Sequence, residues 1–87
     1  MIEFERLKEI VKAELGWVLI DKGEYYNTKN DRLYIKQYAS GLYVHLSILQ
    51  EAEEKNVKIE LHKFELKTER ELISLFRKYK KIKRAIR

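Results

Sequence analysis

The stretch RLYIKQYASGLYVHLSIL, residues 32–49, decides the fold class. Apolar side chains occupy every second position on both sides of a short ASG connection at 39–41; they are Leu33, Ile35, Leu42, Val44, Leu46 and Ile48. A period of two is typical of strands with one buried face, and small residues between two such runs are typical of a tight turn. The stretch therefore predicts an antiparallel hairpin with strands at 32–38 and 42–49.

An amphipathic helix is predicted before the hairpin, over about residues 2–15. Its apolar residues recur at the helical spacings of three and four, and they are Phe4, Leu7, Val11 and Leu15. Gly16 follows at the position where a helix end favours a left-handed residue. We predict that this apolar stripe and the neighbouring Trp17 belong to the core.

A second helix is predicted after the hairpin, from residue 68 to about residue 85. Thr68-Glu69-Arg70-Glu71 fits the capping-box pattern, in which Thr68 caps the first turn and Glu71 reaches back to the N–H of the cap residue. The apolar face of this helix consists of Leu72, Leu75, Phe76, Tyr79, Ile82 and Ile86.

Two further strands are predicted, at 17–20 (WVLI) and 57–67 (VKIELHKFELK). In the second, the apolar positions shift by one residue before Phe64 and Leu66, which predicts a β-bulge near His62 and Lys63. Residues 51–56 fit a loop or one helical turn, and a short helix over 47–55 stays an open alternative. The chain is thus predicted to be one α+β domain, residues 1–87, in the order α-β-β-β-β-α with an antiparallel sheet of three to four strands.

The composition excludes several classes of protein. The absence of cysteine rules out disulfide frameworks, zinc ribbons and thiol nucleophiles. No apolar run approaches the ~18 residues of a membrane span, and the charged start MIEFERLKEI is not a secretory signal. We expect a small cytoplasmic protein without a cofactor. A composition rich in Lys, Glu, Ile, Leu and Tyr also fits a protein of a mobile element.

The charge is distributed unevenly along the chain. Residues 1–71 carry 12 basic and 14 acidic residues, a net charge of −2, whereas residues 72–87 carry seven basic residues and no acidic one. All of the net positive charge therefore lies in the last sixteen residues. An asymmetry of this kind points to an acidic partner more strongly than the total charge does.

A basic stripe is predicted on the C-terminal helix, opposite its apolar face. At helical spacing Arg70, Arg77, Lys81 and Arg84 fall within about 60° of one another. The helix dipole explains cations in the last turn, but it does not explain those one or two turns earlier. The stripe therefore predicts contacts with phosphates. Further charge would come from the neighbouring Lys78, Lys80 and Arg87.

A second candidate surface is the outer face of the hairpin, which carries Arg32, Tyr34, Lys36, Tyr38, Tyr43 and His45. Interleaved basic and aromatic residues on a sheet can stack nucleic-acid bases. We name Tyr34, Lys36 and Tyr43 as secondary candidates for nucleic-acid binding. The alternative is an ordinary sheet face, since tyrosine favours strands, or a face covered by a helix.

The patterns for enzymes are weak, and we predict a protein without catalytic activity. Glu65-Leu66-Lys67 matches the E-x-K triplet of metal-dependent nucleases, but that chemistry needs another acidic ligand nearby. The two aspartates, Asp21 and Asp31, lie in predicted turns. Histidines 45 and 62 could face each other across strands, but two histidines are too few for a metal site, so no metal is predicted.

The stretch LKEIVKAELGWVLIDKGEYY, residues 7–26, resembles the opening of HicA-type mRNA-cleaving toxins, in which a first helix is followed by a G-W/F strand. Gly16-Trp17 and Lys22-Gly23 match that pattern, whereas Tyr25 stands where the catalytic histidine of the family would fall. The resemblance implies a fold like that of the double-stranded-RNA-binding domain, α-β-β-β-α. It also implies RNA binding without the nuclease activity.

The leading hypothesis is a non-enzymatic protein that binds DNA or RNA with little sequence specificity, because phosphate contacts carry no base information. The alternative is a protein–protein module that docks on an acidic surface, such as a small inhibitor or regulator from a mobile element. Binding to an anionic membrane ranks below both, because the core needs the apolar face of the helix. A homodimer is expected if the apolar sheet face is left uncovered.

Overall fold

The computed structural model describes residues 2–19, 24–26, 31–51 and 56–85. The elements are α1 (Phe4–Leu15), β1 (Glu24–Tyr26), β2 (Asp31–Tyr38), β3 (Gly41–Glu51), β4 (Asn56–Leu66) and α2 (Glu69–Ala85). Neighbouring strands pair antiparallel in the sheet order β1-β2-β3-β4. The two helices and the three long strands confirm the predicted α+β class, in the order α-β-β-β-α.

The predicted strand at 17–20 is wrong for residues 17–19, which form no strand; Ile20 lies outside the described residues. Trp17 and Leu19 are nevertheless buried, and the Trp17 ring meets the ring of Tyr79 edge-on at 5.8 Å between centroids. The apolar pattern of this segment therefore reflects packing in the core rather than pairing in the sheet. The remaining strand, β1, has three residues, and the sequence predicts no strand there.

Both helices pack on one face of the sheet. The buried core joins residues of α1 and α2 to alternate residues of the strands, among them Leu7, Val11, Leu33, Ile35, Val44, Leu46, Leu72 and Phe76. The helices run side by side in the same direction, since Arg6 of α1 bonds Glu69 of α2 and Glu14 bonds Arg77 eight residues further along each helix. The apolar sheet face is covered, so the expected reason for a homodimer is absent from the described part of the chain.

The predicted helix ends are largely confirmed. Gly16 has a left-handed φ of 73°, and its N–H donates to the carbonyl of Lys12. At the start of α2, the N–H of Glu71 donates to Thr68 Oγ1 at 3.1 Å. The Glu71 carboxylate accepts from the Thr68 hydroxyl at 3.0 Å, instead of reaching the N–H of the cap residue as the full capping box requires.

The β-bulge lies two residues beyond its predicted position. Opposite residues are Val44 and Lys63 on one side of it, and Leu42 and Leu66 on the other, so β4 carries one extra residue at 64–65. Glu65 takes a positive φ of 54° there. The prediction near His62 and Lys63 assumed that Phe64 points inward. Phe64 instead lies on the outer face and is 68% exposed.

The open alternative of a short helix over 47–55 is wrong for residues 47–51. These residues continue β3 to Glu51, and Ser47 and Ile48 pair with Glu60 and Ile59 of β4. Residues 52–55 lie outside the described part of the chain. The strand that begins with the apolar alternation at Leu42 therefore continues to Glu51, the first of the polar residues that suggested a loop.

Candidate nucleic-acid interface

The basic residues of α2 lie mostly on its outer side, away from the sheet. Arg70, Arg77, Lys78, Lys81 and Arg84 are exposed, and Lys80 is half-buried. The remaining candidate, Arg87, lies outside the described residues. The orientation of the four-residue stripe is as its helical spacing predicts, but the fold divides these cations into two groups.

The first group is held by a carboxylate of α1. Arg77 Nε donates to Glu14 Oε1 at 3.1 Å, and Lys80 Nζ donates to Glu14 Oε2 at 3.2 Å. The Glu14 side chain is only 14% exposed. The hydrogen bond from Lys80 is the main cause that lowers the pKa of Glu14 below its ordinary value. Both cations therefore help to fasten α2 to α1, whatever else they bind.

The Glu14 contact should make stability sensitive to acid. Because the folded-state pKa lies below the ordinary value of 4.5, folded Glu14 stays charged where the unfolded chain takes up a proton. Its contribution is therefore present above that value and is lost as the pH falls through the lower folded-state pKa. Urea unfolding measures the free energy of unfolding as the pH is lowered through this range. That free energy should decrease less for Glu14→Gln than for the original chain. An equal loss in both proteins would contradict the prediction, and Glu5→Gln at an exposed site is the control.

Lys83 also has a structural partner. Its ammonium pairs with Asp31 at the start of β2, a carboxylate that is 3% exposed. The Lys83 ammonium also lies 6.0 Å from the centroid of the Tyr79 ring. Burial, followed by the negative charge of Asp31, raises the pKa of Tyr79 above its ordinary value. The helix dipole favours Lys83 in the last turn of α2, and the structure adds a buried partner contributed by the sheet.

The second group consists of cations without an acidic partner among the described residues. Arg70, Lys78, Lys81 and Arg84 form no ion pair with any carboxylate in residues 2–19, 24–26, 31–51 or 56–85. Three of them line one shallow depression together with the cations that Glu14 holds, and its lining residues are Arg77, Lys78, Lys80, Lys81 and Arg84. All five of these described residues are cations, and Glu14 balances part of the charge of only two of them, Arg77 and Lys80.

The outer face of the sheet carries a connected aromatic cluster. Tyr43 lies at its centre: its ring stacks on Phe64 at 4.8 Å and meets Tyr34 edge-on at 6.0 Å. Its hydroxyl is hydrogen-bonded to His62 Nδ1 at 2.9 Å. Lys36 and Tyr38 are exposed beside it, with the ammonium 5.3 Å from the Tyr38 ring centroid. Neither helix covers this face, so the expected alternative of a helix over it is wrong.

Two histidines and a glutamate adjoin the aromatic cluster. His45 and His62 are opposite residues of β3 and β4, and their rings stack at 4.1 Å. Glu60 lies two residues before His62 on the same face, where Lys58 Nζ approaches its Oε1 at 3.1 Å. That hydrogen bond is the main cause that lowers the pKa of Glu60. Glu60 is not among the residues predicted from the sequence, although the period of two in β4 places it beside His62.

The basic face of α2 and the aromatic cluster lie on opposite sides of the molecule, because both helices pack on the inner sheet face. Within the described ranges, they approach each other along β4. A groove there is lined by His62 and Lys63 of the strand and by Arg70 and Lys78 of the helix. The two candidate surfaces that the sequence predicted are thus distinct, and His62 is the residue that the cluster shares with the groove.

Asp31 lies too far from the E-x-K triplet to share a metal ion with Glu65. Glu65 lies in the bulge near the Leu42 end of β3, whereas Asp31 pairs with Ile48 at the other end. Six residues of strand separate these positions, or about 20 Å. Asp21 lies outside the described residues. The placement of Asp31 against Lys83 gives that aspartate a structural role instead.

Comparison with known proteins gives no family for this chain: no family model matches it, and no curated protein or solved structure is significantly similar to it. The resemblance of residues 7–26 to HicA-type toxins gains no support there. In the structure Gly16 ends α1 and Trp17 enters the core, which gives both residues a role in folding. Among the described residues, no helix is long and apolar enough to cross a membrane.

Proposed function

We propose that the protein binds nucleic acid, DNA or RNA, through the outer side of α2 and without catalysis. Arg70, Lys78, Lys81 and Arg84 contact backbone phosphates, and Arg77 contributes from its place beside Glu14. Arg87 adds charge at the end of the chain. The observation that carries the proposal is the set of four exposed cations on one side of α2 without a carboxylate partner in the described residues.

The spacing of these cations suits a phosphate backbone. Arg84 lies fourteen positions after Arg70, a rise of about 21 Å along the helix axis. The members of the stripe are long, flexible side chains that can follow phosphates on either one or two strands. Because such contacts carry no information about the bases, sequence specificity is low.

The aromatic cluster is a secondary contact. Tyr34 and Tyr43 are half-buried and already pack against each other, so each offers an edge more readily than a full ring face. Phe64 and Lys36 are more open. A strand that lies on α2 reaches this cluster only past His62 and Lys63, along the groove beside β4.

The salt dependence of binding tests the proposal directly. Fluorescence anisotropy with random-sequence duplex and single-stranded probes measures log K against log salt. Four phosphate contacts give a slope of about −3.6 on duplex DNA and about −2.8 on single strands. Lys78→Gln with Lys81→Gln should reduce the size of the slope by about 1.8 on duplex DNA. The matched control, Lys8→Gln with Lys12→Gln, removes the same charge from α1 and should leave the slope unchanged.

Two outcomes would overturn the proposal. One is the absence of binding to every nucleic-acid probe at about 50 mM salt, where non-specific electrostatic contacts are strong. The other is binding whose slope the Lys78/Lys81 variant and the α1 control alter equally, since that result would assign the affinity to net charge. The first result would leave an acidic protein surface as the next hypothesis for the same side of α2.

A further inference from the structure

We propose that His45, His62 and Glu60 form a site for one divalent transition-metal ion of the zinc class on the outer face of the sheet. The ligand atoms are Nε2 of each imidazole and the carboxylate of Glu60. This site is independent of the basic side of α2 and of the proposed binding of nucleic acid.

The distances between the ligand atoms carry the inference. Nε2 of His45 lies 3.3 Å from Glu60 Oε1, and Nε2 of His62 lies 3.7 Å from Glu60 Oε2. All three ligand atoms lie within 4.8 Å of one another. Ligands at the usual zinc bond lengths of about 2.0–2.1 Å are about 3.3 Å apart in a tetrahedron. Small rotations of the stacked rings and of Glu60 bring the three lone pairs onto one ion.

The strand register fixes this arrangement. His45 and His62 are directly opposite on neighbouring antiparallel strands, and Glu60 occupies the outward position of β4 two residues before His62. The backbone thus presents all three donors on one face before any ion binds. The Nε2 atom of His45 is buried, and although Glu60 Oε1 lies 3.3 Å away, the two atoms lack the geometry of a hydrogen bond, so an ion between them would satisfy both.

A neighbouring hydroxyl orients one ligand. Tyr43 Oη lies 2.9 Å from His62 Nδ1, so Nδ1–H can donate to Tyr43 while Nε2 faces the ion. Metal-bound histidines almost always use their second nitrogen in this way. Two imidazoles and one carboxylate are the donors that zinc, copper and nickel accept, whereas calcium and magnesium prefer oxygen alone. A water completes four-coordination on the open side of the sheet.

Lys58 opposes the ion. The Lys58 ammonium is bonded to Glu60 Oε1 at 3.1 Å. It therefore has to move away before the Glu60 carboxylate can coordinate a metal ion. Lys58→Gln should therefore bind the ion more tightly than the original chain. Lys36→Gln is the matched control, because it removes one exposed lysine from the same sheet face without touching Glu60.

Calorimetric titration of the full, untagged chain with zinc chloride near neutral pH tests the site. We expect one ion per chain. His62→Gln and His45→Gln should each weaken binding by more than about a hundredfold, and Tyr43→Phe by about tenfold, the range of an outer partner. Far-UV circular dichroism checks that each variant is folded, and cobalt(II) provides a visible absorption band that reports the four-coordinate geometry.

Three outcomes would overturn the site. They are no zinc binding by the folded chain, binding that persists unchanged in both histidine variants, and a stoichiometry of one ion per two chains. A Lys58→Gln affinity equal to that of Lys36→Gln would contradict the role given to Glu60. Because the readout is metal binding itself, failure of nucleic-acid binding by α2 has no bearing on the result.

Discussion

Gly41→Ala should destabilise the fold by about 3 kcal/mol, which combines backbone strain with overpacking. Gly41 has a φ of 136°, where side chains are rarely accommodated. A Cβ atom there would lie 2.8 Å from the carbonyl carbon of Glu65 and 2.9 Å from the carbonyl oxygen of Leu66. Both atoms belong to backbone, so neither can move aside as a side chain would. The urea midpoint should fall with the m-value unchanged.

The chain contains a matched control for this substitution. Gly16 also has a positive φ, 73°, but a Cβ atom built on it meets nothing within 4 Å. Gly16→Ala should therefore cost only the strain of a left-handed residue, about 1 kcal/mol. Equal losses in the two variants would show that the contact between Gly41 and the bulge does not matter for stability.

The contact at Gly41 explains where the bulge lies. Ala39 and Ser40, between the paired residues Tyr38 and Gly41, keep negative φ values, so the hairpin needs its positive φ at Gly41. The backbone of β4 then fits closely over that glycine, and the extra residue falls at 64–65. The apolar pattern of β4 could show that one residue was extra. It could not show its position, which a backbone contact between two strands determines.

The elements that local patterns describe were predictable from the sequence. The period of two at 32–49 and the helical spacing after Thr68 each depend on residues a few positions apart. The apolar run that starts at Trp17 misled because core positions outside a sheet and β-strands use the same apolar residues. Pairing in a sheet needs a partner strand, and the sequence of residues 17–20 does not indicate whether a partner is available.

The candidate site was predictable only in part, because its electrostatics depend on residues distant in sequence. The stripe on α2 follows from helical spacing. Glu14 lies 63 residues from Arg77, and Asp31 lies 52 residues from Lys83. Nothing local identifies these acids as partners of the cations. The division of the basic residues into structural and free groups therefore required the fold.

Lys83→Met should lower the stability of the fold, and so distinguish a structural cation of α2 from the cations without a described partner. Removing this ammonium leaves the Asp31 carboxylate, which is 3% exposed, without its ion-pair partner on α2. Breaking a buried pair costs about 3–5 kcal/mol, and we expect about 2–3 here because one-third of the Lys83 side chain is exposed to water. Urea unfolding measures the loss.

Lys81→Met is the opposite case, since Lys81 is exposed and has no carboxylate partner in the described ranges. It should change stability by less than about 0.5 kcal/mol but reduce the salt slope of nucleic-acid binding by about 0.9 on duplex DNA. The double variant Asp31→Asn with Lys83→Met should be more stable than Lys83→Met alone, because it removes the buried charge. If Lys83→Met and Lys81→Met are equally stable, the distinction between structural and free cations on α2 fails. If Lys83→Met proves less stable but keeps the original salt slope, the basic side of α2 uses different residues for stabilising the fold and for binding nucleic acid.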